Sequence, residues 1–247
     1  MTTAALSPGA NELDWDLEPA LEAATRSVAE GVLPCLVFGV VDTDGRSAVL
    51  AVGDESTEVH EDSVFFIASV TKAIVATALM QYVDEGRLDL QASLGRYVPG
   101  FEGDGRDAVT AWHLLTHTSG LPDISAERMR SERPGYAAIL AETLVSVPRW
   151  EPGTRYEYNS AAWCLLSETM AALSSSSWPD VLHQRLLGPL GMADTTFDGR
   201  PLRDRIVPVD GMADNRLVAE VLLWFLSRAA LPGGGLFGTV PDLLRLG

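Results

Sequence analysis

Apolar residues recur at helical spacing at Leu17, Leu21, Ala24 and Val28, so residues 16–31 are expected to form an amphipathic helix that stops near Gly31. Residues 1–15 carry no such period and are expected to be a polar tail. Two β-rich runs follow, Leu36-Val37-Phe38-Gly39-Val40-Val41 and Ser47-Ala48-Val49-Leu50-Ala51-Val52. The Asp42-Thr43-Asp44-Gly45 segment between them predicts a hairpin, because Asp-Gly supplies the backbone freedom that a tight connection needs. Residues 64–67 form a short buried approach to the next element. From 69 to 85 the period becomes helical again, with Ile74, Ala78, Leu79 and Val83 on one face and Gly86 as the stop.

A short helix is expected over residues 111–117, capped by Thr110, with Gly120 beyond its end. Pro134-Gly135 opens another that runs to Leu144. Further helices are expected over 160–173, 178–188 and 215–230, and one more starts at Pro241. The serine run 174–177 reads as a loop. Neither a repeat nor a linker divides the chain, so residues 16–247 are treated as one domain. Strands early and helices afterwards predict an α+β fold.

Composition narrows the function classes. A chain of 247 residues with 47% hydrophobic and 21% charged content can bury a substantial core. A formal net charge of −16 leaves no basic surface for counterion release, which argues against a nucleic-acid partner. The longest apolar run, 221–226, is too short to span a membrane. The N-terminus lacks the basic and apolar regions of a signal peptide, so a cytoplasmic location is expected. Cys35 and Cys164 both sit in apolar surroundings and read as buried, reduced thiols. His113 and His117 stand at i, i+4, a spacing that also suits zinc. Leu114 occupies the position where a hydrolytic zinc motif needs a glutamate, and no third ligand lies close by in sequence. The expected role of the two histidines is therefore structural, with no metal or cofactor.

One residue stands apart. Of 18 basic residues only Lys72 is a lysine, and Ser69 lies three positions before it. Arginine replaces lysine wherever a fixed charge is enough, but it does not give up its proton near neutral pH. Serine needs a neighbour to take its proton before it attacks a carbonyl. Ser and Lys at i, i+3 on a helix start face one another, and the helix N-terminus favours an oxyanion over a cation. An N-cap serine followed by an exposed lysine would fit the same four residues.

Beyond this pair, several stretches resemble the serine β-lactamase-related family, which includes class C β-lactamases, D-alanyl peptidases and esterases of the same fold. They are Ser69-Val70-Thr71-Lys72 with 82–90, then His113-Leu114-Leu115-Thr116-His117-Thr118-Ser119-Gly120-Leu121, and Pro152-Gly153-Thr154-Arg155-Tyr156-Glu157-Tyr158-Asn159-Ser160. Residues 187–197 and Gly233-Gly234-Gly235-Leu236-Phe237 follow in the family's order. The resemblance implies a helical lobe packed on an antiparallel sheet. It also implies that Ser69 is acylated, that Lys72 accepts its proton or depresses a tyrosine pKa, and that Tyr158 is that tyrosine.

Two departures qualify this. Where the family has Asn two residues after the motif tyrosine, this chain has Ser160, with Asn159 one residue early. Asn159 and Ser160 are therefore the candidate substrate contacts. The family also carries a Lys or His with Gly two residues later, and none of Lys72, His60, His113, His117 or His183 is followed that way. The expectation is a chain that lacks the family's C-terminal strands and helix. The expected function is a serine esterase or amidase acting on a small acyl substrate (ester, amide or β-lactam). A non-catalytic remnant, or a β-lactamase or D-alanyl peptidase, is the alternative.

Overall fold

The computed structural model describes residues 3–6, 15–54, 57–208, 223, 226, 227 and 229–247. The first helix, α1 (Glu18–Ala29), has Pro19 in its first turn, where a missing N–H costs nothing, and Gly31 just past its end at φ +71°. Its Ala24 and Val28 pack on Val52. β2 (Cys35–Val41) and β3 (Ser47–Gly53) form the expected antiparallel hairpin, in register from Cys35↔Gly53 to Val41↔Ser47. The Asp42 carboxylate fixes the connection by accepting the N–H groups of Asp44 and Arg46 at 3.0 and 2.9 Å.

The expectation of a polar tail over residues 1–15 is corrected at Thr3–Leu6. Thr3–Leu6 is a strand, β1, paired antiparallel with β3 from Thr3↔Gly53 to Leu6↔Leu50. Four residues are too few to show a period, and β1 exists because β3 offers a second edge. The sheet order is β1-β3-β2.

β4 (Phe65–Phe66) pairs with β5 (Phe237–Gly238), and this two-stranded piece leads directly into α2 (Val70–Asp84). Thr71, Lys72, Ile74, Val75, Ala78, Leu79 and Tyr82 are buried along α2, which makes it the central helix of the main core. Tyr82 takes the inward position expected of Val83, which is only half-buried. α3 (Ala111–Leu115) ends two residues earlier than expected. Its start is a reciprocal cap: Thr110 Oγ1 accepts the His113 N–H, and the His113 ring accepts the Thr110 N–H. Replacing Thr110 by Ala is expected to cost about 1 kcal/mol of stability, read as a lower urea midpoint.

α4 (Ala126–Ser131), α5 (Tyr136–Val145) and α6 (Trp163–Ser174) complete the helical lobe beside α2. α7 (Trp178–Leu182) runs into a π-turn over His183–Leu187, so the expected helix 178–188 is two pieces. Most of the helix expected over 215–230 lies outside the described residues. The last helix, α8 (Val240–Leu244), joins the two layers. Val240 and Leu244 lie so close to Gly39 of β2 that a Cβ there would meet them at 2.6 and 2.9 Å. Leu243 and Leu246, on the other side, pack into the helical core. Among the described residues no helix is long and apolar enough to cross a membrane.

Candidate active site

The chain turns sharply between β4 and α2. Ala68 is held at φ +43°, a left-handed conformation that a residue with a Cβ adopts only under constraint. Ile67 on one side is bonded through its N–H to the Leu236 carbonyl at 3.0 Å, and α2 begins on the other. This turn places Ser69 at the N-terminus of a 15-residue helix. Its hydroxyl makes no capping bond, so the alternative of a simple N-cap serine does not describe it.

Nor is Lys72 an exposed lysine. It is 7% exposed, and its ammonium donates to Ser69 Oγ at 3.4 Å, to Ser160 Oγ at 3.1 Å and, closely, to the Gly233 carbonyl. Three donors meet three acceptors, as burying a charge requires. Tyr158 completes the arrangement, donating its hydroxyl to Ser69 Oγ at 2.7 Å. Burial alone would raise the Tyr158 pKa. The Lys72 ammonium and the hydroxyls of Ser69 and Ser160 outweigh it and hold the phenol below its ordinary value. Lys72 Nζ lies 4.7 Å from the centre of the Tyr158 ring. Spacing pointed to Ser69 and Lys72, the family resemblance to Tyr158 and Ser160, and the fold brings all four together.

Asn159 is different, and its expected role in holding substrate is corrected here. It is 3% exposed, its amide donates to the Leu121 carbonyl at 2.7 Å, and its carbonyl accepts the Ala162 N–H at 2.8 Å. Both ends face inward and are occupied. The one-residue offset from the family's tyrosine motif turns the amide into the scaffold and leaves the short Ser160 side chain beside Lys72.

The two histidines support the site without lining it. His117, at φ +56°, stacks on Tyr158 with ring centroids 4.4 Å apart, and its Nδ1 accepts the Asn159 N–H at 3.1 Å. Burial, reinforced by the charge of Lys72, lowers its pKa, so it is neutral and free to accept that bond. His113 is lowered by burial and belongs to the α3 cap. Among the described residues no group of three or more His, Cys, Asp or Glu side chains is gathered as metal ligands would be.

Sequence reasoning missed the roles of two contributors. Asp123 accepts the N–H groups of Ser160 and Ala161 at 3.1 and 2.9 Å, which fixes the turn that carries Ser160 into α6. The glycine loop supplies the other. A Cβ on Gly233 would lie 2.6 Å from the Ser160 carbonyl, so only glycine lets its own carbonyl reach Lys72. Ser69, Asp123, Ser160 and Gly233 border a cavity of about 390 Å³.

Residues 21–247 match the family model described as Beta-lactamase. The chain is 32% identical to Penicillin-binding protein 4 of Amycolatopsis lactamdurans over 197 residues, which cover 76% of this chain and 50% of that protein. It is 29% identical to the D-alanyl-D-alanine-carboxypeptidase/endopeptidase AmpH of Escherichia coli (strain K12), covering 74% of this chain and 48% of that protein. Esterase EstB of Burkholderia gladioli is 30% identical, with coverage of 99% and 73%. Against AmpH and Penicillin-binding protein 4, the chain spans about half the relative's length. Among solved structures, the D-amino acid amidase of Ochrobactrum anthropi SV3 superposes with a TM-score of 0.75 at 24% identity, covering 91% of this chain and 67% of that one.

Proposed function

Because this chain belongs to the beta-lactamase family of serine hydrolases, we propose that it is an acyl hydrolase working through an ester formed on Ser69, with esters or amides of small carboxylic acids as substrates. The observation that carries the proposal is the convergence of Lys72 Nζ and Tyr158 OH on one hydroxyl, at 3.4 and 2.7 Å. With Tyr158 as its phenolate beside the Lys72 ammonium, Ser69 Oγ attacks the acyl carbon as its proton passes to the phenolate oxygen. The bond to the leaving alcohol or amine breaks, and the same pair returns the proton to that group. Water then attacks the acyl carbon, and the carboxylic acid leaves with Ser69 restored. The Ser69 N–H, at the positive end of α2, favours the oxyanion formed in each half.

The esterase among the relatives supports this reading: the match covers 73% of that protein's length, against about half for the penicillin-binding protein and the carboxypeptidase. With a 4-nitrophenyl ester, the expected result is a burst of nitrophenolate close to one equivalent of protein, followed by slower turnover. Ser69→Ala removes the burst. A burst that survives in Ser69→Ala would refute the assignment.

A further inference from the structure

The cavity beside Ser69 has a floor of a different chemistry from its rim. Ile124, Met129, Ile139, Cys164 and Leu231 form the floor, drawn from the 124–131 segment, α5, α6 and the glycine loop. Cys164 is a thiol and not a thiolate: burial, together with the Glu168 charge, pushes its pKa up to about 12. The polar groups at the rim are already engaged. Ser160 Oγ and the Gly233 carbonyl both receive Lys72, and Asp123 receives the N–H groups of Ile124, Ser160 and Ala161. Among the described residues no arginine lines the cavity, and none pairs with Asp123. A substrate side chain entering here meets hydrocarbon, sulfur and the negative charge of Asp123.

We propose that this cavity binds the acyl side chain and restricts the enzyme to compact, apolar acyl groups, excluding those with a carboxylate. The inference rests on the acyl-hydrolase reading and deepens it. Ser160 is central to it. A longer amide at that position would reach further toward a polar acyl chain, whereas the short serine side chain accepts Lys72, bonds Tyr158 and leaves the apolar floor to choose. A carboxylate would lose its hydration, find no cation with a free donor and lie near Asp123. Each methylene that reaches the floor is worth about a three- to fourfold gain in kcat/KM, until the volume of about 390 Å³ is filled.

The test is a series of 4-nitrophenyl esters (acetate, butyrate, hexanoate, decanoate and monosuccinate) hydrolysed by the whole chain, alongside fluorophosphonate labelling of Ser69. The expected profile climbs from acetate to butyrate or hexanoate, falls at decanoate, and puts monosuccinate at least about tenfold below butyrate. Met129→Trp, which fills the floor, lowers the hexanoate-to-acetate ratio, and Met129→Ala moves the optimum to a longer chain. A flat profile, or one unchanged in both Met129 variants while Ser69 still labels, overturns the pocket assignment and leaves the acyl-hydrolase reading standing. Absence of both labelling and ester turnover overturns both.

Discussion

Tyr158→Phe is expected to slow acylation of Ser69 by about 10²- to 10⁴-fold while leaving the unfolding midpoint almost unchanged. The phenol hydroxyl is the group that touches Ser69 Oγ, yet the side chain is 44% exposed, so the fold does not depend on it. Lys72→Met is expected to be at least as damaging, for two reasons. It removes the positive charge that holds Tyr158 below its ordinary range, returning the phenol toward about 10, and it leaves the Gly233 carbonyl and Ser160 hydroxyl without their donor. Lys72→Arg does not rescue activity, because a guanidinium neither fits three converging acceptors nor yields its proton. In the wild type, acylation should rise with pH through a midpoint below that of a free phenol, and in Lys72→Met that midpoint moves upward. Stopped-flow release of nitrophenolate across pH measures both effects.

Asn159→Ala is expected to destabilise the protein by about 2–5 kcal/mol, since the Leu121 carbonyl and the Ala162 N–H are each left buried without a partner. The loss appears in urea unfolding. At temperatures where the variant is folded, its KM for a small ester changes little, because neither end of the amide reaches the cavity. Ser160→Ala should show the reverse pattern: little change in stability and a clear loss of acylation rate, since Lys72 loses one of its three acceptors. The pair of variants therefore separates a scaffold residue from a site residue one position away.

The hairpin, α1, α2 and the Thr110 cap were legible because each is a local statement: a period, a turn pair or a capping residue within a few positions. Ser69 and Lys72 were legible for the same reason, with the lone lysine as a second signal. β1 was not, because a four-residue strand is defined by its partner and not by its own sequence. Asn159 was read wrongly because a polar residue beside a motif tyrosine looks the same whether its amide points at substrate or at a backbone carbonyl 38 positions away. The role of Asp123, and the part that Gly233 of the glycine stretch plays at Lys72, were hidden on similar grounds. Their contributions are to Ser160 N–H and Lys72, 37 and 161 positions distant, and only folding sets those distances. Nothing in the stretch Gly120-Leu121-Pro122-Asp123 marks that carboxylate as an acceptor for the start of α6.

The account stands on Ser69 being a nucleophile prepared by Lys72 and Tyr158. Intact-mass analysis of the folded chain after a fluorophosphonate, with the modified peptide mapped, tests this directly. One adduct on Ser69 is predicted in the wild type, with none in Ser69→Ala and slow formation in Tyr158→Phe. A folded wild-type chain that takes up no adduct, or takes it up at another residue, would contradict it.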